Sequence, residues 1–362
     1  MRMEVTLPPC FLLQVKEQVA CMKDLIETLD IKGLFLYYNK KKYMSILVTG
    51  GAGFIGSNFL EFLRGVTDDK IIVLDSLTYA SNEKNIPQCP QIDFVWCDIV
   101  NESHVNYLFD KHRPSKVFHF AAESHVDKSI SNSNPFISTN INGTINLLNA
   151  SLKVEVEKFH HISTDEVYGS LEYDDIDLFR ENTPYDPRNP YSATKASAEH
   201  FVTSWHNTYG LPYVITGCSN NYGKGQHFEK LIPKVIMNAM NHQVTYMYDG
   251  GEQIRDWIHV MDHCGAIWSI EEKKVLNDKF NVGAGCELQN IEVTKKILDL
   301  LHKSHDLIGI SYDRPGQDKR YGTDFSKLTA ATGWTPSINF DDGLKETVQW
   351  YIDRLPGDLY DI

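Results

Sequence analysis

Two acidic residues, Asp165 and Glu166, follow directly on a strand-like apolar run in the stretch HISTDEVYGS, residues 161–170. A pair of carboxyl groups can serve as a general acid and a general base in one reaction. The same pair could equally form a solvated strand end that only contributes to solubility. The decision between these interpretations depends on whether the rest of the chain supplies a reaction that needs both groups.

A second candidate pair is Tyr191 and Lys195 in the stretch PYSATKASAEH. Residues four apart on a helix lie on one face, and Pro190 is suited to begin that helix. An ammonium group near a phenol favours the phenolate, which would make the tyrosine a usable base. Three other Tyr/Lys pairs in this chain have the same spacing. Tyr191 is distinguished by its position, about 25 residues after the acidic pair.

A glycine-rich loop, VTGGAGFIG, spaces Gly50, Gly53 and Gly56 three residues apart between a predicted strand and a predicted helix. Glycines permit the tight turn and the close approach of a pyrophosphate to the helix N-terminus. The next predicted strand ends in Asp75, 19 residues past Gly56. A carboxylate at that position accepts hydrogen bonds from the hydroxyls of the adenosine ribose and repels a 2′-phosphate, so we expect NAD rather than NADP.

Further contacts to the dinucleotide are expected at the ends of the next two predicted strands. Asp98 and Ile99 suit a contact with the adenine ring. Ala121 and Ala122 are small enough to let the dinucleotide lie against the backbone. These positions, together with the glycine loop, predict a bound NAD.

The elements that position these residues form a repeating pattern from Met44 onward. Short apolar runs alternate with helix-like stretches, and the runs are SILVTG, KIIVLD, IDFVWCD, KVFHFAA, KFHHIS and PYVITG. Continuous apolar runs are typical of parallel strands that helices cover on both faces. We therefore expect an α/β fold, a Rossmann doubly wound parallel sheet, over residues 44–220.

Beyond residue 220 the pattern loosens, with shorter apolar runs at 244–248, 279–283 and 308–312. These suit a smaller C-terminal α/β lobe over residues 221–362, with some segments returning to the Rossmann domain. Residues 1–43 form an N-terminal extension whose role the sequence does not indicate.

The overall composition restricts the class of partner. The 362 residues are 42% hydrophobic and carry a formal net charge of −13, which argues against nucleic-acid and anionic-membrane partners. The seven cysteines are scattered and lack C-x-x-C pairs, which indicates reduced thiols and no metal. With no apolar run of membrane-spanning length and no signal-peptide layout, we expect a cytoplasmic protein.

From Met44 to its C-terminus the chain resembles the nucleoside-diphosphate-sugar 4,6-dehydratases of the extended short-chain dehydrogenase/reductase family, most closely those acting on dTDP-glucose. The resemblance rests on nine motifs in register, GGAGFIG, DSLTYAS, AAESHVDKSI, STDEVYG, YSATKASAEH, SNNYG, EKLIP, IRDW and RPGQDKRYGTD. It implies an NAD-dependent lyase that oxidises carbon 4 of dTDP- or UDP-glucose, eliminates water across carbons 5 and 6, and returns the hydride to carbon 6. The product would be a 4-keto-6-deoxy sugar, a step toward deoxysugars such as rhamnose.

The resemblance also assigns roles to individual residues. Thr164 would bind the sugar, with Asp165 as general acid and Glu166 as general base, while Tyr191 and Lys195 would form the redox pair. The NAD contacts would be Gly50, Gly53, Phe54, Ile55, Gly56, Asp75, Thr78, Asp98, Ile99, Ala121, Ala122, Thr139, Tyr191, Lys195 and Asn221. The substrate contacts would be Ser124, Thr164, Asn220, Lys230, Leu231, Arg255, Asn290, Arg314 and Asp318. The family also implies a homodimer through helices near 134–152 and 190–209.

Several alternatives stay open beside this interpretation. Sugar-nucleotide epimerases lack an acid before Glu166, decarboxylases pair a serine with that glutamate, and a relative that inverts carbon 5 carries lysine there. A non-catalytic NAD-binding regulator would be expected to lose Tyr191 or Lys195. Two departures from the family pattern, Lys224 in place of proline and His259 in place of an aromatic residue, put the nucleotide base in doubt.

Overall fold

The computed structural model describes residues 45–312 and 315–354. The N-terminal extension and Arg314 therefore lie outside the described residues. Within the described ranges, no helix combines the length and the apolar content that a membrane span requires.

The centre of the fold is a parallel sheet of seven strands in the order β3-β2-β1-β4-β5-β6-β10. All six apolar runs that predict strands before residue 220 belong to this sheet, which confirms the doubly wound parallel architecture. The strands are β1 Ser45–Thr49, β2 Lys70–Asp75, β3 Ile92–Trp96, β4 Lys116–His119, β5 Lys158–Thr164, β6 Tyr213–Cys218 and β10 Asp278–Val282.

Helices cover both faces of this sheet because its strands are apolar on both sides. In β1, Ile46 and Val48 join the core under helices α1 and α8, whereas Leu47 joins the core under α2 and α5. The helices are α1 Phe54–Val66, α2 Glu102–His112, α3 Val126–Ser131, α4 Asn134–Phe136, α5 Thr144–Val154, α6 Pro190–Tyr209, α7 Leu231–Met240, α8 Val260–Glu272, α9 Asn290–Leu300, α10 Ser326–Thr332 and α11 Phe340–Arg354. A π-helical segment, Ile137–Gly143, joins α4 to α5.

The later part of the chain builds two small sheets and a separate core. Strand β9 lies between β7, its parallel neighbour, and β11, its antiparallel neighbour, while β8 pairs with β12. Helices α7, α9 and α11 bury Ile236, Val293 and Leu344 in one cluster with Trp257. The strands are β7 Asn220–Tyr222, β8 Thr245–Tyr248, β9 Ile254–His259, β11 Glu287–Gln289 and β12 Ile308–Ser311.

One run that suits the smaller lobe lies elsewhere. The run at 279–283 forms β10, which pairs in parallel with β6 at the edge of the central sheet. Its residues Phe280 and Val282 are fully buried against α8 and α10, so the central sheet takes a strand from beyond residue 220.

All the strands of the central sheet end at the same edge because they are parallel. Thr49, Asp75 and Thr164 are therefore the last residues of their strands at one edge. The glycine loop after β1 and the acidic pair after β5 meet there, although more than 100 residues separate them in sequence.

Candidate active site

A cavity of about 430 Å³ lies at the carboxyl edge of the central sheet. Its lining contains every residue predicted to contact NAD and all five residues predicted to be catalytic. Ser124, Asn220 and Lys230, predicted to contact substrate, also line it. One cavity thus brings together groups from the glycine loop, four strand ends and helix α6.

The glycine loop is shaped for close approach of another group. Gly50 has φ of 71°, and a Cβ there would lie 2.5 Å from the backbone nitrogen of Ala121. A Cβ on Gly56 would lie 2.2 Å from the carbonyl oxygen of Gly50, so only glycine fits without a backbone shift. Helix α1 begins at this loop without a side-chain cap, which leaves its first N–H groups directed at the cavity. This cradle fits the pyrophosphate of a dinucleotide.

Asp75 occupies the end of β2 as a buried carboxylate, only 7% exposed. Its two oxygens accept hydrogen bonds from the backbone nitrogens of Ala52, at 2.9 Å, and Leu77, at 2.8 Å. The carboxylate is thereby fixed at the rim of the glycine loop, and each oxygen has lone-pair capacity left for a ribose hydroxyl. A fixed negative charge here fits NAD better than NADP.

Lys195 is buried, and its Nζ donates a hydrogen bond of 2.7 Å to the carbonyl oxygen of Ile162 on β5. Its Nζ also lies 3.5 Å from Nε2 of His161. Burial lowers the pKa of Lys195 to about 8, while the negative charge of Glu199 acts in the opposite direction. The lysine therefore titrates near neutral pH.

Tyr191 lies one helical turn before Lys195, and burial raises its pKa well above the ordinary value. The charge of Glu166 raises this pKa further, and a hydrogen bond with Thr164 lowers it. Lys195 donates one of its N–H groups to Ile162, and its ammonium still lies one helical turn from the phenol, so the expectation that Lys195 makes Tyr191 a usable base stays a prediction. Tyr191 is a neutral phenol here, so a base role requires additional positive charge in the cavity.

The two acids at the end of β5 occupy different environments. Asp165 is 1% exposed, and its Oδ2 accepts a hydrogen bond of 3.1 Å from Thr323 Oγ1. Burial, followed by the charge of Glu166, raises the pKa of Asp165 well above its ordinary value. A buried carboxyl group with a raised pKa holds its proton to higher pH and is suited to the role of general acid. Asp165 is the one that keeps its proton.

Glu166 lies in the 3-10 turn Asp165–Tyr168 that follows β5, and it is only partly buried. Its backbone nitrogen donates to Thr164 Oγ1 at 3.3 Å, so Thr164 caps the turn. The charge of Glu166 raises the pKa values of Tyr191, Asp165 and Tyr321, which places its carboxylate among all three.

Comparison with known proteins agrees with this geometry. Residues 47–347 match the family described as GDP-mannose 4,6 dehydratase. The chain is 44% identical to the dTDP-glucose 4,6-dehydratase of Haemophilus influenzae over 332 residues, which cover 85% of this chain and 98% of that protein. It is 43% identical to dTDP-glucose 4,6-dehydratase 1 of Escherichia coli, with coverage of 86% and 93%. This chain belongs to the sugar-nucleotide 4,6-dehydratase family.

Solved structures of the dehydratase family and of related epimerases have the same fold. The dTDP-glucose 4,6-dehydratase of Streptomyces venezuelae, determined with NAD and dTDP bound, superposes with a TM-score of 0.82 at 40% identity and covers 86% of this chain and 97% of its own. The UDP-glucose 4-epimerase of Thermotoga maritima superposes with a TM-score of 0.81 at 29% identity, covering 86% of this chain and 100% of its own. Dehydratases and epimerases therefore share this fold, so the fold alone does not distinguish the two activities. The feature of this chain that distinguishes them is the acid pair.

Three more of the predicted substrate residues of this dehydratase line a second cavity of about 750 Å³. Leu231, Arg255 and Asn290 line it, and Asn220 and Lys230 line both cavities. The second cavity thus adjoins the first along the border between the central sheet and the smaller lobe. Its shared residues fit a ligand that extends from the sugar site into the lobe.

Asp318 lines neither cavity. Its backbone carbonyl accepts a hydrogen bond of 2.9 Å from Arg255 Nη2, and its carboxylate accepts one of 2.5 Å from the Tyr321 hydroxyl. In this structure Asp318 therefore acts on Arg255 and Tyr321, and its direct contact with substrate stays a prediction.

Sequence analysis missed several groups of the dehydratase site. Glu229 lines both cavities, and Tyr321, Asp256 and Thr323 lie beside the acid pair, as their charges and hydrogen bonds on Asp165 and Glu166 show. All four stand inside motifs that carry the resemblance, EKLIP, IRDW and RPGQDKRYGTD. Membership of those motifs was the available signal.

The two departures from the family pattern lie away from both cavities. Lys224 accepts a hydrogen bond of 3.0 Å at its carbonyl oxygen from Asn58, and its side chain lines neither cavity. His259 is buried, caps helix α8 through Met261, and packs edge-on against Tyr222. Neither residue is therefore part of the lining of the two cavities that hold the predicted site residues.

Proposed function

We propose that this chain converts a nucleoside-diphosphate glucose, dTDP-glucose or UDP-glucose, to the 4-keto-6-deoxy sugar with NAD as a regenerated cofactor. The observation that carries the proposal is the acid pair, in which a buried Asp165 with a raised pKa stands next to a partly exposed Glu166 in the cavity of Tyr191. The S. venezuelae relative with NAD and dTDP bound supports both ligands.

The first half of the reaction is an oxidation at carbon 4. NAD, held by the glycine loop and Asp75, would supply the hydride acceptor and donor that this chemistry needs. Tyr191 takes the proton of the carbon-4 hydroxyl, and Thr164, whose hydrogen bond lowers the pKa of Tyr191, favours its phenolate form. A Lys195 ammonium one helical turn away supplies positive charge to the same cavity.

The second half is an elimination that needs both carboxyl groups. The carbon-4 ketone makes the carbon-5 hydrogen acidic; Glu166 removes it as a proton, and a proton returns to carbon 5 when the hydride is delivered to carbon 6. Asp165 retains its proton because it is buried beside Glu166, and it protonates the departing carbon-6 hydroxyl. In this elimination Glu166 therefore acts as the general base and Asp165 as the general acid.

The basic residues of the second cavity suit the diphosphate of the substrate. Arg255 is fixed by hydrogen bonds to the carbonyl oxygens of Ile254 and Asp318, and Lys230 and Lys234 line the same cavity. Local positive charge of this kind allows a chain with a net charge of −13 to hold an anionic nucleotide. We propose that residues 44–220 mainly bind NAD and residues 221–362 mainly bind the sugar nucleotide.

Two further properties belong to the same proposal. A homodimer would use the adjacent helical segments over 134–154 and 190–209, where Ile137 and Tyr209 are 42% and 56% exposed. The scattered free thiols, Cys97 and Cys218 among them, suit a reducing compartment such as the cytosol.

The test incubates the protein separately with dTDP-glucose, UDP-glucose and UDP-N-acetylglucosamine, and follows the absorbance that a 4-keto-6-deoxy sugar develops in alkali. We expect the ketone from at least one glucose nucleotide. An unchanged sugar or a carbon-4 epimer from every substrate would refute the proposal.

A further inference from the structure

A buried acid outside the proposed mechanism lies next to the redox pair. Glu199 is 1% exposed and stands four residues after Lys195 on helix α6. Side chains with this spacing lie one above the other on the same helix face. A carboxylate withdrawn from water costs free energy unless it is paired and hydrogen-bonded, so its position requires a compensating arrangement.

That arrangement is a fixed set of three partners. Ser163 Oγ donates a hydrogen bond of 2.5 Å to Glu199 Oε1, and the Tyr185 hydroxyl donates to Oε2. Lys279 Nζ forms an ion pair with Oε2 at 2.7 Å and also lies 3.0 Å from the Tyr185 hydroxyl. These partners come from β5, β10 and the loop before α6, so both carboxylate oxygens are held from outside the helix.

The negative charge of Glu199 acts on the lysine of the redox pair. Lys195 is buried, and a buried lysine tends to lose its proton. Glu199 provides the largest influence that opposes this loss. The Ser163 that fixes Glu199 immediately precedes Thr164 and Asp165, so the same carboxylate also anchors the strand end that carries the acid pair.

The other groups facing Lys195 do not replace this charge. They are Tyr191 on α6, His119 on β4, His161 on β5 and Cys218 on β6, whereas Lys279 on β10 is paired with Glu199 itself. Burial lowers the pKa values of the two histidines well below the ordinary range and raises that of Cys218 to about 12, so these groups are neutral. Asp165 and Glu166 face Tyr191, one helical turn away.

We propose that Glu199 is a positioning residue of the redox site, whose carboxylate, fixed by Lys279, Tyr185 and Ser163, keeps Lys195 in its charged form. The inference rests on the proposed function, in which Lys195 assists Tyr191. It predicts that removal of the charge of Glu199 narrows the pH range of the oxidation step rather than abolishing it.

The first test measures NAD reduction by substrate as a function of pH in the wild type and in Glu199→Gln. Side chains four residues apart on a helix begin roughly 5–6 Å apart, and two unit charges at about that separation, with an effective dielectric constant near 20, would shift the pH midpoint at which the rate is lost on the alkaline side down by about two pH units. The variant should therefore recover most of its rate at low pH. Glu157→Gln removes the same charge at the opposite end of β5, where the side chain is exposed, and should leave the profile unchanged.

The second test titrates Lys195 without turnover. Trace acetylation with acetic anhydride across pH, quantified at Lys195 by peptide mass spectrometry, reports the lysine midpoint directly. We expect about 8 in the wild type and a lower value in Glu199→Gln. If the unpaired Lys279 prevents folding of that variant, Glu199→Gln with Lys279→Gln removes both charges and should still show the lower midpoint.

The outcomes separate the two proposals. An unchanged lysine midpoint with a rate lost equally at all pH values would refute the positioning role and leave only a structural one. If wild-type protein reduced no NAD with any glucose nucleotide, the proposed function would fail, and the acetylation experiment would still decide whether Glu199 controls the charge of Lys195.

Discussion

Replacement of Asp165 by Asn should separate the two halves of the reaction. The amide has nearly the same shape and keeps an oxygen that can accept the 3.1 Å hydrogen bond from Thr323. It has no proton to give to the departing hydroxyl. Oxidation at carbon 4 should therefore survive, and elimination should fail.

The size of the loss follows from the role of the carboxyl group. A positioned general acid is worth roughly 100- to 10,000-fold in rate, which corresponds to about 2.7 to 5.4 kcal/mol of barrier. In the wild type, elimination should slow as pH rises through the raised pKa of Asp165, because the acid form is the active one. Stopped-flow absorbance of reduced nicotinamide reports oxidation, and quenched samples analysed for ketone report elimination. The variant should accumulate reduced cofactor.

Stability provides the control for this variant. The folded-state pKa of Asp165 is raised, so ionisation of this buried group opposes folding above the pKa of the unfolded state. The amide of the Asp165→Asn variant cannot ionise, and the variant should melt no earlier than wild type at pH 8. Equal losses of NAD reduction and of elimination in a variant that is fully folded would contradict the assignment of Asp165 as the acid.

Two further predictions concern the glycine loop and the ion pairs that Glu271 forms with the first residues of strands β4 and β5. Gly56→Ala should destabilise the protein by about 1–3 kcal/mol and lower its bound NAD content, because the new Cβ would lie 2.2 Å from a carbonyl oxygen. Gly53→Ala is the control: its new Cβ would have its nearest contact at 3.4 Å, so both effects should be much smaller. Glu271→Gln should cost about 3–5 kcal/mol in urea unfolding, because it leaves the buried Lys158 and the half-buried Lys116 without their carboxylate, whereas exposed Glu272→Gln should be nearly neutral. Equal effects within either pair of variants would contradict the reasoning.

Most of the central sheet was predictable because its strands are recognisable from the apolar residues within each of them. Strands β1, β2, β4, β5 and β6 are almost wholly buried because helices cover both faces of the sheet, whereas β3 at the edge of the sheet is only partly buried. Strand β10 was not assigned to this sheet, because its run DKFNV is short and half polar, and its place depends on pairing with β6 some 60 residues earlier.

The candidate site likewise has some features that follow from local motifs and others that depend on residues distant in sequence. The cavity that holds Tyr191, Lys195 and the acid pair follows from motifs that each lie within a few residues. The protonation of these groups does not, because it depends on partners from distant elements. Thr323, 158 positions later in the sequence, donates a hydrogen bond to Asp165, and Lys279 on β10 forms an ion pair with Glu199. The base role expected for Tyr191 beside Lys195 therefore stays a prediction.

The most direct test of the account follows one hydrogen atom. Nucleoside-diphosphate glucose carrying deuterium at carbon 4 is converted by the protein, and the product is analysed by NMR and mass spectrometry. The account predicts deuterium at carbon 6 of a 4-keto-6-deoxy sugar, because the hydride leaves carbon 4 and returns at carbon 6 within one cavity. Deuterium retained at carbon 4 of an epimerised sugar, or lost to the solvent, would contradict it.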